Sequence, residues 1–123
     1  MNRYDPDQAP NPEQWLALDE QSRIQLAEEH HRSARIKLPN LKVHAIFHVI
    51  VENQIAENTD SVVRAMARLT ADGLSRHEAI HAVGSVLAEH IHDLFNAKAD
   101  QSDSAIIYNA AIERLTAKDW RRG

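Results

Sequence analysis

Helix-breaking residues are almost absent from this chain beyond its first dozen positions, and that absence limits the fold more than any other feature. Of four prolines, Pro6, Pro10 and Pro12 fall at the start and only Pro39 lies inside. The three glycines are Gly73, Gly84 and the terminal Gly123. Sandwiches and barrels need frequent turns, and Gly and Pro are the residues that build them. Neither an apolar/polar alternation of period two nor an internal repeat is visible. The expectation is an all-α fold: a single-domain bundle of about five mostly antiparallel helices, 123 residues being few for two domains.

Caps and breaks place the elements. Residues 1–11 read as an extended, polar N-terminal arm, 12–118 as the helical domain and 119–123 as a polar C-terminal tail. Pro12 suits a first helical position, with Asn11 as cap and Glu13 in the first turn; the stretch runs to about His31, and Asp19 offers a second start within it. The residue before Pro39 is pushed away from helix, so Lys37–Asn40 is a break. Asn40 caps an apolar helix ending near Glu57 or Asn58, and Thr59 and Asp60 start the next, which Gly73 closes. Ser75 with Glu78 three residues on is a capping box for the longest helix. A polar break at Asp100–Asp103 precedes a last helix carrying Ile106, Ile107, Ile112 and Leu115. Short connections favour antiparallel neighbours.

Composition removes several function classes. Hydrophobic residues are 43% and charged residues 26%, enough apolar surface to offset chain entropy. The net charge of −4, with two Phe, two Tyr and two Trp spread along the chain, argues against nucleic-acid binding. Arg32, Arg35, Lys37, Lys42, Arg121 and Arg122 read as solvated helix ends. The absence of cysteine excludes disulfides, thiolate ligands and a cysteine nucleophile. The glycines form no phosphate loop or dinucleotide fingerprint. No apolar run approaches the roughly 20 residues of a membrane span, and the N-terminus has no signal-peptide pattern, so a cytoplasmic location is expected.

What remains is histidine. Six of eight histidines lie on the two most apolar helices, and four of these form pairs spaced i, i+4. His44 and His48 are followed one turn later by Glu52; His77 and His81 enclose a HExxH string with Glu78. Residues four apart stack on one helix face, with Cβ atoms about 5–6 Å apart, so two imidazoles can grip one ion. Each pair flanks its helix's apolar stripe. The stripe centres on Phe47, Val43, Ile50 and Val51 in the first helix, and on Ile80, Val83, Leu87, Ile91 and Leu94 in the second. Gly84 and Ala88, beside His77 and His81, would let a neighbouring backbone come close. Antiparallel packing of the stripes would turn both pairs toward one cleft. The competing reading is boundary histidines bonded to backbone or carboxylate. His30 and His31 read as solvating a helix end, His90 as a core residue and His92 as polar, none of them ligands.

The segment from Pro39 to about residue 95 resembles the uncharacterised bacterial family known as domain of unknown function 1841. The shared pattern falls on Asn40, His44, His48, Glu52 and Gln54, then Arg68 and Leu69, then His77 and His81. The arm, the first helix and everything after Asn96 lie outside it. The resemblance implies a helical bacterial cytosolic protein and names no reaction.

The expected cofactor is a transition metal, zinc first, with iron or nickel as alternatives. The expected ligands are His44, His48, His77 and His81, with Glu52 as a further ligand or as an orienting group. Gln54 would bond near the cluster or face solvent. Glu78 is the candidate general base for metal-assisted hydrolysis by analogy with HExxH enzymes, and equally the capping-box residue. The rival is a metal-free interaction module, such as a homodimer, suggested by apolar Ala45 and Val49 opposite the main stripe.

Overall fold

A computed structural model describes residues 1–33, 40–96 and 103–122. Among these, seven helices and no strands form an all-α bundle: α1 (Pro12–Ala17), α2 (Glu20–Ser33), α3 (Leu41–Ala56), α4 (Asp60–Ala71), α5 (Arg76–Asn96), α6 (Ser104–Arg114) and α7 (Ala117–Arg122). No described helix is long and apolar enough to cross a membrane. The break at Lys37–Asn40, except Asn40 itself, and all but Asp103 of the Asp100–Asp103 break lie outside the described residues, as do Arg35 and Lys37.

The helix starts follow local chemistry. Asn11 Oδ1 accepts from the Gln14 N–H and Asn40 Oδ1 from the Val43 N–H, each satisfying an orphan donor of the first turn. The stretch from Pro12 to His31 is broken at Leu18, and Asp19 Oδ1 caps α2 by accepting from the Ser22 N–H at 2.7 Å. Gly73 closes α4 at φ +100°, a left-handed conformation that favours glycine.

Two hydrophobic cores lie on either side of α3. One is formed with α4, α5 and α6 around Val51, Leu69, Ile80, Val83 and Ile112. The other joins Trp15 of α1 and Ala27 of α2 to Ala45 and Val49. This is why α3 is apolar nearly all round. Ala45 and Val49 are covered within the chain, so the apolar excess that suggested a second subunit is accounted for. The expected α3 stripe is partly displaced accordingly: Val51 is buried as expected, Val43 is exposed, and Ala45 and Val49 join Val51 as the buried apolar positions. The α5 stripe keeps its place, with Ile80, Val83 and Leu87 buried.

Both chain ends pack. Tyr4 and Pro6 are buried, so the mostly exposed N-terminal arm is pinned to the bundle at these two residues. Residues 119–122, read as part of a polar tail, belong to α7: Thr116 Oγ1 caps it through the Asp119 N–H, and Trp120 packs on the larger core. Arg121 donates to the Asp72 carbonyl at the end of α4.

Candidate metal centre

His44, His48 and Glu52 follow one another at four-residue steps along α3, on the seam between the two cores. α5 packs on α3 from one side and α2 from the other. α5 brings His81 to the seam and α2 brings His31. One ligand atom from each of His31, His44, His48 and His81 lies within 4.8 Å of the others, a group that could hold a metal ion. The Nε2 of His81 is 3.1 Å from that of His44 and 2.9 Å from that of His48. Zinc–imidazole bonds of 2.0–2.1 Å set tetrahedral nitrogens about 3.4 Å apart, inside this range of separations.

The surroundings fix which nitrogens carry protons. His31 Nδ1 lies 2.7 Å from the Ala27 carbonyl. A carbonyl only accepts, so Nδ1 holds the proton and Nε2 is a bare lone pair. That Nε2 is buried without a hydrogen-bond partner. Tyr4 donates its only hydroxyl proton to Glu52 Oε2 at 2.5 Å. Its oxygen therefore accepts from His48 Nδ1–H at 3.1 Å, and His48 Nε2 is also bare. At most one proton fits between His81 and its two neighbours. Lone pairs thus face one another across the centre, a repulsive arrangement that a cation reverses.

Charge state agrees. Burial, reinforced by neighbouring imidazoles, holds His44 down to about 4 and His81 to about 3. The same causes depress His48, and burial lowers His31 and His77. All five rings are neutral near pH 7, the form that binds metals.

Glu52, only 1% exposed, is not among the converging atoms. Its two oxygens take a bidentate pair of 2.7 Å bonds from Arg76, which also donates to the Pro6 carbonyl. Glu52 acts on the cluster through Tyr4, the carboxylate fixing the phenol and the phenol fixing the His48 tautomer. Burial and the Glu52 charge raise the Tyr4 pKa well above its ordinary value, so the phenol stays a donor.

His77 stands beside the group and outside it. Its ring centroid is 4.3 Å from that of His81 and 5.0 Å from that of His48, and its Nε2 is buried without a partner. Asp7 Oδ1 of the arm accepts from its backbone N–H. His77, one turn before His81 on α5, meets the cluster through ring contacts and contributes no nitrogen to the converging group.

The expectation for His31 is overturned: it is fully buried, facing α3. Its signal was in the sequence, because Ile24, Ala27 and His31 share the phase of the buried face of α2. Glu78 is exposed and completes the capping box, donating from its N–H to Ser75 Oγ at 3.0 Å while its Oε1 accepts from the Ser75 N–H at 3.4 Å. That commitment turns it from the imidazoles. Gln54 accepts from the Tyr108 hydroxyl and ties α3 to α6, away from the centre. His90 bonds Ser104, and His92 is exposed.

On the α3–α5 side, His44, His48 and His81 form one wall of a cavity of about 260 Å³. Gly84 and Ala88 line this cavity; the small residues leave space here where a closer helix approach was expected.

Fold and site together define an all-α protein with a cluster of four histidines, two buried and two half-buried. No family model, curated protein or solved structure matches the chain.

Proposed function

We propose that this protein binds a transition-metal ion, zinc first among the candidates with iron and nickel next, through His31, His44, His48 and His81. The observation that carries the reading is the convergence of four imidazole nitrogens, two of which, on His31 and His48, are left as bare lone pairs by partners outside the cluster. An all-nitrogen donor set suits zinc, iron or nickel rather than magnesium or calcium. Three of the four paired histidines on which the resemblance to domain of unknown function 1841 rests, His44, His48 and His81, belong to this set. Glu78 has no part in this proposal, since its carboxylate serves the capping box.

The test is elemental analysis by mass spectrometry on untagged protein, before and after loading and desalting. The expected result is about one equivalent of zinc, iron or nickel, lost when His48 and His81 are replaced by Ala. Protein that retains none of these ions after loading refutes the reading.

A further inference from the structure

The cavity beside the histidines has two unlike surfaces. One is the imidazole wall; the other is hydrocarbon and aromatic, from Phe47, Ile80 and Trp120, with Gly84 and Ala88 leaving the room. Its volume of about 260 Å³ is small for a ligand pocket. It equals roughly eight to nine waters at about 30 Å³ each, the bulk of a single-ring or short-chain molecule.

Charge selects the head group of an occupant. Four neutral imidazoles leave the double charge of a divalent ion uncompensated. Glu52, the buried acid that reaches the cluster through Tyr4, already has both oxygens bound to Arg76. The apolar walls raise the worth of any charge pairing made inside. An anionic donor from outside is what the centre lacks, and an apolar body is what the remaining walls accept.

We propose that the pocket binds a small monocarboxylic acid, its carboxylate a fifth ligand that expands the four-histidine coordination of the metal and its apolar body against Phe47, Ile80 and Trp120. This rests on the metal reading above. His31 approaches the centre from α2, so the pocket side offers the carboxylate its access past His44, His48 and His81.

Benzoate is the probe, benzamide its neutral isostere, and Trp120 emission the readout. Trp15, the other tryptophan, is fully buried in the smaller core and gives a constant background. Metal content is measured on every sample. Zinc-loaded protein is expected to bind benzoate about tenfold tighter than metal-free protein does, and about tenfold tighter than it binds benzamide, a difference of about 1.4 kcal/mol each. Ala88→Leu fills the pocket and is expected to weaken benzoate about tenfold while holding zinc. Should that variant lose zinc, Gly84→Ala applies the same test, because its added methyl meets only Val51 Cγ2, at 4.0 Å. Benzoate binding that is equal with and without zinc, or equal to benzamide, overturns this inference and leaves the metal site standing. A chain that takes up no metal overturns both.

Discussion

Tyr4→Phe separates a functional centre from a merely packed histidine cluster. The change removes one oxygen and leaves the ring, which packs edge-on to His48 at 6.0 Å and against Trp15 at 5.5 Å, so no cavity opens. Glu52 keeps its two bonds from Arg76, so its charge stays compensated. What is lost is the acceptor for His48 Nδ1–H and, with or without metal, the hydroxyl donor to the buried Glu52 carboxylate, a bond worth about 1.5–3 kcal/mol. In the metal-free protein His48 has a remedy: moving its proton to Nε2 lets it donate to His81 Nε2, 2.9 Å away. The metal-free variant is therefore expected to lose stability only through the Glu52 bond, a loss common to both forms.

Metal binding removes that remedy. The ion needs the Nε2 lone pair, which returns the proton to Nδ1, now facing a hydrocarbon ring edge. A buried unpaired donor costs about 1–3 kcal/mol, and loss of an orienting partner typically weakens metal binding about 10–100-fold. At equal metal concentration the stabilisation on loading shrinks by about 1.4–2.8 kcal/mol. For a chain of this size that is roughly 4–15 °C of melting temperature. Competition with a calibrated chelator gives the affinity, and calorimetry of loaded and metal-free samples gives the two transitions. Affinity within twofold of the parent, or a loss that falls equally on the metal-free protein, would refute the tautomer argument.

His31→Ala is expected to lower zinc affinity by at least about tenfold, whereas His77→Ala keeps one equivalent of zinc; a competition titration that ranks them the other way restores the ligand set read from the sequence. Arg76→Met leaves the Glu52 carboxylate, 1% exposed, without its cation and is expected to destabilise the fold by about 3–5 kcal/mol in urea denaturation; adding Glu52→Gln recovers part of that loss. In metal-free protein, stability is expected to fall with pH below about 6.5. His44 and His81 have folded-state values lowered from 6.5 to about 4 and about 3, so the unfolded chain takes protons first. The contribution is whole above pH 6.5 and is lost as pH falls toward those lower values, at no more than about 1.4 kcal/mol per unit for each ring and less for the half-exposed His44. A urea midpoint that is flat between about pH 7 and pH 5 contradicts neutral burial.

The helix starts were legible because the first turn is a local problem. Asn11, Asn40 and the Ser75–Glu78 box act on N–H groups three residues away, and Gly73 acts through its own φ. Where tertiary packing supplies the reason, composition misleads. Tyr4 and Pro6 sit in a polar run and are buried by partners far along the chain. Trp120 turns an apparently charged tail into a helix through one apolar contact surface and the Thr116 cap.

The centre itself was half legible for the same reason. Fourfold spacing along α3 put His44, His48 and Glu52 on one line, but spacing alone does not say which end of α5 comes close or that α2 arrives opposite. His77 and His81 share a face and both rings pack on His48, yet only His81 brings a nitrogen to the converging group. The link among Tyr4, Glu52 and Arg76 has no period at all, since its members are 48 and 24 residues apart in the chain. It joins the arm, α3 and the first residue of α5, so arrival of the arm completes both the smaller core and the proton pattern of His48. Folding and the capacity to hold an ion are therefore expected to be coupled in this chain, with the N-terminal residues taking part in both.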